Sequence, residues 1–283
     1  MEEIMKVSLM LMAMLAVVLS GAMAQQNPAE APLRVSVEAE LGAVKVLHHT
    51  YQVGTDTTDF DFVKMGGQEL LYPFQRMTVA LGFGEGHQVR FLYQPLQLDT
   101  RIIAREAFTI DNVSFAVGQP VDITYSFPFY RISYLYDLLP GPAELSVGAA
   151  LQLRNASIRF APLDGSDGVV SQNLGPVPAI VLAGRLPLGS SLYAAFEATG
   201  LYASSAIING ANFEFEGSIL DAAARVGTSV RSGTDLFFNL RFIGGSAKGT
   251  SQYPNLYWTQ SIGKYTANYL ATFSATFGAT VQL

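Results

Sequence analysis

The sequence predicts an all-β protein: a closed, antiparallel, up-and-down transmembrane β-barrel of about ten strands, with eight and twelve the neighbouring even counts. Three observations carry this. Long stretches alternate apolar and polar residues with period two. Charged residues are 14% of the 283-residue chain, against about 25% in an ordinary soluble protein. The connections between the alternating stretches are long and short in turn.

The final stretch, residues 265–283, is the clearest. Tyr265, Ala267, Tyr269, Ala271, Phe273, Ala275, Phe277, Ala279, Val281 and Leu283 are apolar, and nearly every residue between them is polar. A strand crossing a bilayer at a tilt needs roughly 9–11 residues, about twice an average globular strand. Alternation alone leaves open whether the apolar face meets a core or lipid, so the rest of the chain has to choose. The apolar content is 49%, yet beyond the N-terminus no apolar run is long enough for a membrane helix. In lipid the only other way to satisfy every backbone group is a closed barrel.

Residues 1–24 read as a secretory signal peptide. Lys6 begins a basic start, Leu9 to Leu19 is an apolar segment too short to span, and Ala22-Met23-Ala24 is a small-residue cleavage signal. Glu2 and Glu3 suit such a start poorly, and Met5 is the alternative first residue. Residues 25–33 form a polar lead, and residues 34–283 the barrel. The chain has no Cys, so neither a disulfide framework nor N-terminal lipid attachment is expected.

The first strand covers residues 34–49, with Val35, Val37, Ala39, Leu41 and Ala43 on one face and Ser36, Glu38, Glu40 and Gly42 on the other. Residues 54–68 read as a long loop. A second strand at 70–83 and a third at 87–98 flank the tight turn Gly84-Glu85-Gly86. Residues 100–120 read as a second long connection. The fourth strand, 121–138, changes parity near Phe129-Tyr130, which suggests a bulge, and the fifth, 144–160, slips near Arg154-Asn155. Pro140-Gly141-Pro142 turns between them. A third long loop at 161–175 precedes strands at 177–188 and 192–203, which are joined at Gly189-Ser190. A connection around Asn209-Gly210 leads to a strand at 213–230, and Ser232-Gly233 turns into the ninth. A last long loop, 244–264, carries Tyr253, Tyr257 and Trp258, which suit either an adhesive tip or an aromatic girdle. Long connections follow the odd strands and short ones the even strands. Membrane barrels have this asymmetry, and an even strand count leaves both chain ends on the short-turn side.

The last eight residues, Thr276-Phe277-Gly278-Ala279-Thr280-Val281-Gln282-Leu283, resemble the C-terminal β-signal of Gram-negative outer-membrane barrels. The pattern is polar at Thr276, Gly at Gly278, and hydrophobic at Val281 and Leu283, where an aromatic end residue is commoner. The resemblance implies export by the general secretory route to the outer membrane, and assembly there by periplasmic chaperones and the barrel-assembly machinery. It further implies contact with outer-membrane lipid and lipopolysaccharide. No functional subfamily is matched.

If the apolar faces meet lipid, Glu38, Glu40, Arg76, Arg90, Arg131, Asp137, Arg185, Glu197, Asp221, Arg225, Asp235 and Arg241 line the lumen. Acids and arginines in similar numbers either pair and fill a narrow interior, or line a narrow porin-like path for small polar solutes. An alternative is a barrel whose external loops act in adhesion or ligand binding. A hydrolase is the other, with His48 or His49 as the base near Asp56, Asp59 and Asp61; only one of two adjacent strand residues can point inward. Those aspartates, and Asp164 with Asp167, lack the ligand set of a calcium loop, so no metal and no cofactor is expected. The acidic balance gives no sign of nucleic-acid binding.

Overall fold

The computed structural model describes residues 33–139, 141–204, 215–250 and 265–283. The signal peptide, most of the polar lead, the Asn209-Gly210 connection and the loop with Tyr253, Tyr257 and Trp258 lie outside the described residues. The strands are β1 (Arg34–Val53), β2 (Phe60–Asp61), β3 (Leu71–Phe83), β4 (His87–Gln94), β5 (Gln97–Ile103), β6 (Phe108–Ile110), β7 (Val113–Phe115) and β8 (Pro120–Ser126). They continue with β9 (Phe129–Asp137), β10 (Glu144–Pro162), β11 (Val169–Pro187), β12 (Leu192–Ser204), β13 (Phe215–Arg231), β14 (Thr234–Thr250) and β15 (Tyr265–Gln282).

Ten wall strands close into an antiparallel barrel. β4 and β5 form one wall strand, interrupted at Pro95, and β8 and β9 form the next, interrupted at Pro128. Each proline lacks the donor that would carry the ladder across the break. β15 pairs β14 on one edge and β1 on the other, while β10 pairs β11, so the ring closes; at its far end β5 ends the sheet. Among the described residues no helix is long and apolar enough to cross a membrane. The tight-turn end, here the base, uses Gly84, Gly86, Gly141 and Gly233 at positive φ, where a side chain would be strained.

Several boundaries differ from the sequence reading, all at the opposite end, the rim. The 100–120 segment is not a loop. β5 and β8 pair through it, and β6 and β7 form a hairpin around Asp111, which sits at φ 55°. β10 and β11 run on together to the turn at 163–168, so the 161–175 loop shrinks to that turn. β14 likewise continues to Thr250. The 54–68 loop folds back against the wall, with β2 pairing Thr50 and Tyr51 of β1.

The bulge near Phe129-Tyr130 and the slip near Arg154-Asn155 are absent. Odd residues from Val121 through Phe129 to Leu135 all face inward, and the β10–β11 register is unbroken from Glu144 to Phe160. Parity holds while the chemistry of the interior changes. Toward the base the inward positions are mostly polar, with Leu135 and Val181 among them, and toward the rim they are Tyr125, Phe127, Phe129, Ile158 and Phe160, all buried. Register does shift in β1, between Val46 and His48. This shift turns His48 outward and brings His49 inside.

Outside, large apolar side chains such as Leu41, Ile132, Leu151, Leu182, Phe238 and Phe273 stand exposed on the wall. An exposed apolar band all round a barrel is a lipid-facing surface. Above it the outer faces of β5, β8 and β10 turn polar at Asp99, Arg101, Asp122, Thr124 and Arg159. The sheet β5–β8–β10–β11 thus rises beyond the band.

Candidate functional site

The lumen is built in three tiers, and the middle one closes it. Arg76 of β3, Arg131 of β9 and Arg241 of β14 converge on the carboxylate of Asp221 of β13, which is fully buried. Arg76 Nη1 donates to Asp221 Oδ2 at 3.0 Å, Arg131 Nη2 to the same oxygen at 2.9 Å, and Arg241 Nη1 to Oδ1 at 2.5 Å. Glu40 of β1 accepts from Asn239 at 2.7 Å, from Thr276 at 2.8 Å and from Arg241 at 3.3 Å. Glu197 of β12 accepts from Arg76 at 3.1 Å and from Arg90 of β4 at 3.0 Å. Gln94 accepts a further bond from Arg76, and Gln152 and Thr199 accept from Arg131. Three buried arginines therefore face three carboxylates at one level, and a fourth, Arg90, joins them at Glu197 from the side away from the rim. Burial of so many charges is tolerable only because each finds charge-assisted partners on other strands.

Below this layer a polar vestibule of about 680 Å³ opens toward the base. Its charges are also paired: Arg225 binds Glu38 through two donors at 2.6 and 2.9 Å, and Arg185 donates to Asp235 at 2.6 Å. Arg225 and Arg185 stack on Phe237 and Tyr193. These rings fit because Gly278 and Gly227 lie opposite them; a Cβ on either glycine would collide with the ring. Asp137 takes no part in the charge layer. Its carboxylate accepts the backbone N–H groups of Leu139 and Leu145 and caps the base turn.

Above the layer the interior is apolar. Phe60, Phe62, Phe108, Phe115 and Phe160 pack ring against ring, with Tyr125, Ile123, Leu98 and Ile158 around them. The spacing of Phe108, Ile110, Val113 and Phe115 about Asp111-Asn112 is a hairpin signal. Phe60 and Phe62 alternate likewise, so the signal for these core residues lies inside segments whose aspartates and glycines otherwise suggest loops.

The other predicted positions separate. His49 is buried between Phe62, whose ring is stacked 4.0 Å away, and Tyr125, and its Nδ1 is 2.7 Å from Gln68 Oε1. His48 faces outward, edge-on to Tyr269. No group of three potential metal ligands occurs among the described residues. Asp61 accepts from the Val63 and Lys64 N–H groups, and Asp164 from Ser166 and Gln119, so both carboxylates organise turns. Of the β-signal positions, Thr276 binds Glu40, Gly278 receives Phe237, Val281 pairs Val37 and Thr234, and the Leu283 N–H bonds Val35. The strand that carries the signal is the one that closes the ring.

No family model matches the chain and no curated relative does. Solved structures do. The outer membrane protease OmpT of Escherichia coli superposes with a TM-score of 0.53 at 10% identity, over 91% of this chain and 99% of that one. A Pseudomonas aeruginosa FadL homologue gives 0.35 at 7% identity, over 88% and 89%. Ail of Yersinia pestis gives 0.32 at 7%, over 88% and 99%. The chain has the fold of the Gram-negative outer-membrane β-barrels.

Proposed function

We propose that this is a non-conducting barrel of the bacterial outer membrane, a rigid support whose rim sheet and loops meet an external partner. The observation that carries the reading is the ion-paired layer around Asp221, which closes the lumen between the vestibule and the apolar tier. A solute moving through would have to break several buried ion pairs and then enter packed aromatic rings, each step costing several kcal/mol. The rim supplies what a partner would meet: the polar outer face of β5, β8 and β10 stands above the apolar band. The base, where the tight turns lie, then faces the periplasm. Export by the secretory route and assembly by periplasmic chaperones and the barrel machinery go with this reading, as does contact with lipopolysaccharide.

The porin-like reading draws on the vestibule alone, which stops at the charge layer. A rim hydrolase draws little support, because His49 is enclosed by rings and His48 lies on the outer face beside Tyr269. The test is single-channel conductance of the refolded mature protein in a planar bilayer. The expected result is a silent wild type; discrete conductance steps would overturn the proposal in favour of the channel.

A further inference from the structure

At the rim one part of the wall is not made by a through-going strand. β3 pairs β1 only as far as Leu71 against Lys45, and pairs β4 only from Met77 onward. β5, which continues β4 upward, pairs β8 on one edge and ends the sheet on the other. The space above β3, between β1 and β5, is taken by residues 60–69, here called the strap. β2 at its start pairs Thr50 and Tyr51, and Gly67 near its end lies against Thr100 and Ile102 of β5. Phe60 and Phe62 point inward and are fully buried.

His49 holds the strap from inside at two points. Its ring stacks on Phe62 with 12° between planes, and its Nδ1 meets Gln68 Oε1. Its backbone carbonyl also accepts the Phe62 N–H at 2.9 Å. The second ring nitrogen, Nε2, is buried with no hydrogen-bond partner in the structure. Such an atom is acceptable as the lone-pair side of a neutral imidazole. As the N–H of an imidazolium it would be an uncompensated donor on a cation among aromatic rings.

We propose that His49 is an acid-operated latch: protonation of its imidazole releases the strap from the wall and opens a side window between β1 and β5 onto the apolar tier. His49 lies above Leu47, the last large outward apolar residue of β1, and thus at the rim. The charged and titratable groups around it cannot replace the missing partner. In the strap, Asp61 is engaged by Lys64 at 3.1 Å and by the turn amides. β8 presents Tyr125, β1 itself Tyr51, and β3 Tyr72, whose hydroxyl donates to the Gly67 carbonyl. Asp99 of β5 accepts from Thr124 and Gln97, His48 faces the other way, and β15 offers Leu270 at this level.

The sign follows from linkage. The released strap leaves an ordinary His, with a pKa near 6.5, that binds a proton, while the latched form holds the neutral ring. The latch is therefore at full strength above about pH 6.5 and weakens by up to about tenfold per pH unit below it.

Hydrogen–deuterium exchange on the full mature chain in lipid nanodiscs reads this directly, at the amides of Phe62, Met65 and Gln68, which are hydrogen-bonded within the latched strap. Protection is taken relative to the intrinsic exchange rate at each pH, and the wild type is compared with His49→Phe, which keeps a ring on Phe62 but cannot titrate. Between pH 7 and 4.5 the wild-type strap should lose at least about tenfold protection, with His49→Phe changing less than about twofold. Equal losses in both would overturn the latch and assign the change to the carboxylates, as would a wild type whose strap stays protected. If His49→Phe does not refold, His49→Gln, which likewise cannot titrate, carries the same comparison. A conducting wild type would overturn the proposed function without touching this result.

Discussion

The two halves of the lumen are filled by opposite chemistry on the same strands. Along β8 and β9 every odd residue faces inward, yet Arg131 and Ser133 lie in polar surroundings while Tyr125, Ile123 and Val121 lie in an apolar core. β10 repeats the contrast, with Gln152 in the charge layer and Ile158 and Phe160 above it. Toward the base most of the large apolar side chains stand on the lipid side. At the rim they stand on the inner side, because the wall has left the apolar band and needs a core of its own, as a soluble sheet does. One barrel thus follows the rules of a membrane protein at one end and of a soluble protein at the other.

The contrast should break most severely at its hub. Asp221→Ala removes the acceptor shared by Arg76, Arg131 and Arg241 and leaves buried cations short of a partner, at a cost of about 3–5 kcal/mol in urea unfolding from lipid vesicles. The loss should shrink in the double variant Asp221→Ala/Arg241→Ala. On the apolar side, Phe160→Ala opens a hole among Phe60, Phe62 and Phe108, and should cost about 3 kcal/mol or more by the same assay. On the outer wall, Phe238→Arg or Phe273→Arg places a charge in the apolar band and should cost about 2–4 kcal/mol near the midplane, seen as loss of the heat-modifiable folded band. Normal folding of both would contradict the assigned faces.

The smallest effect belongs to the exposed rim. Arg101 binds Asp122 through two donors, and these hydrogen bonds hold the Asp122 carboxyl below the usual range. The pair's contribution is present above the ordinary Asp pKa of about 3.9 and fades as pH falls through the depressed value. Arg101→Ala should leave the unfolding midpoint unchanged at neutral pH, since solvent screens such pairs. A measurable drop would mean that the polar outer face of the rim sheet is less open to water than its exposure indicates.

Where the outer face alone decided the matter, the strands were legible in the sequence. β15 follows the alternation of its sequence, and the short turns expected at Gly84, Gly141 and Gly233 are turns, each with its glycine in left-handed backbone. The acids and arginines of the interior were also readable one by one. Their convergence was not, because Arg76 and Asp221 are brought together by barrel closure across 145 positions of sequence. The rim was misread for one physical reason. Polar-in was carried up strands whose inward residues become apolar, so an unbroken parity at Phe129-Tyr130 and Arg154-Asn155 looked like a slip. Phe60, Phe62 and the β6–β7 hairpin were passed over because they sit among aspartates and glycines that resemble solvated loop.

The chain's lack of Cys makes the closed lumen testable from both sides with single thiols. Ala80 lines the vestibule below the charge layer, and Ala156 lies in the apolar core above it. Ala80→Cys and Ala156→Cys would be reconstituted in one orientation at neutral pH and treated with a small charged thiol reagent added to either face. The account predicts modification of Ala80→Cys from the base side only, with Ala156→Cys protected from both. Modification of Ala156→Cys from the base side, or of Ala80→Cys from the rim side, would mean that the layer around Asp221 does not close the barrel.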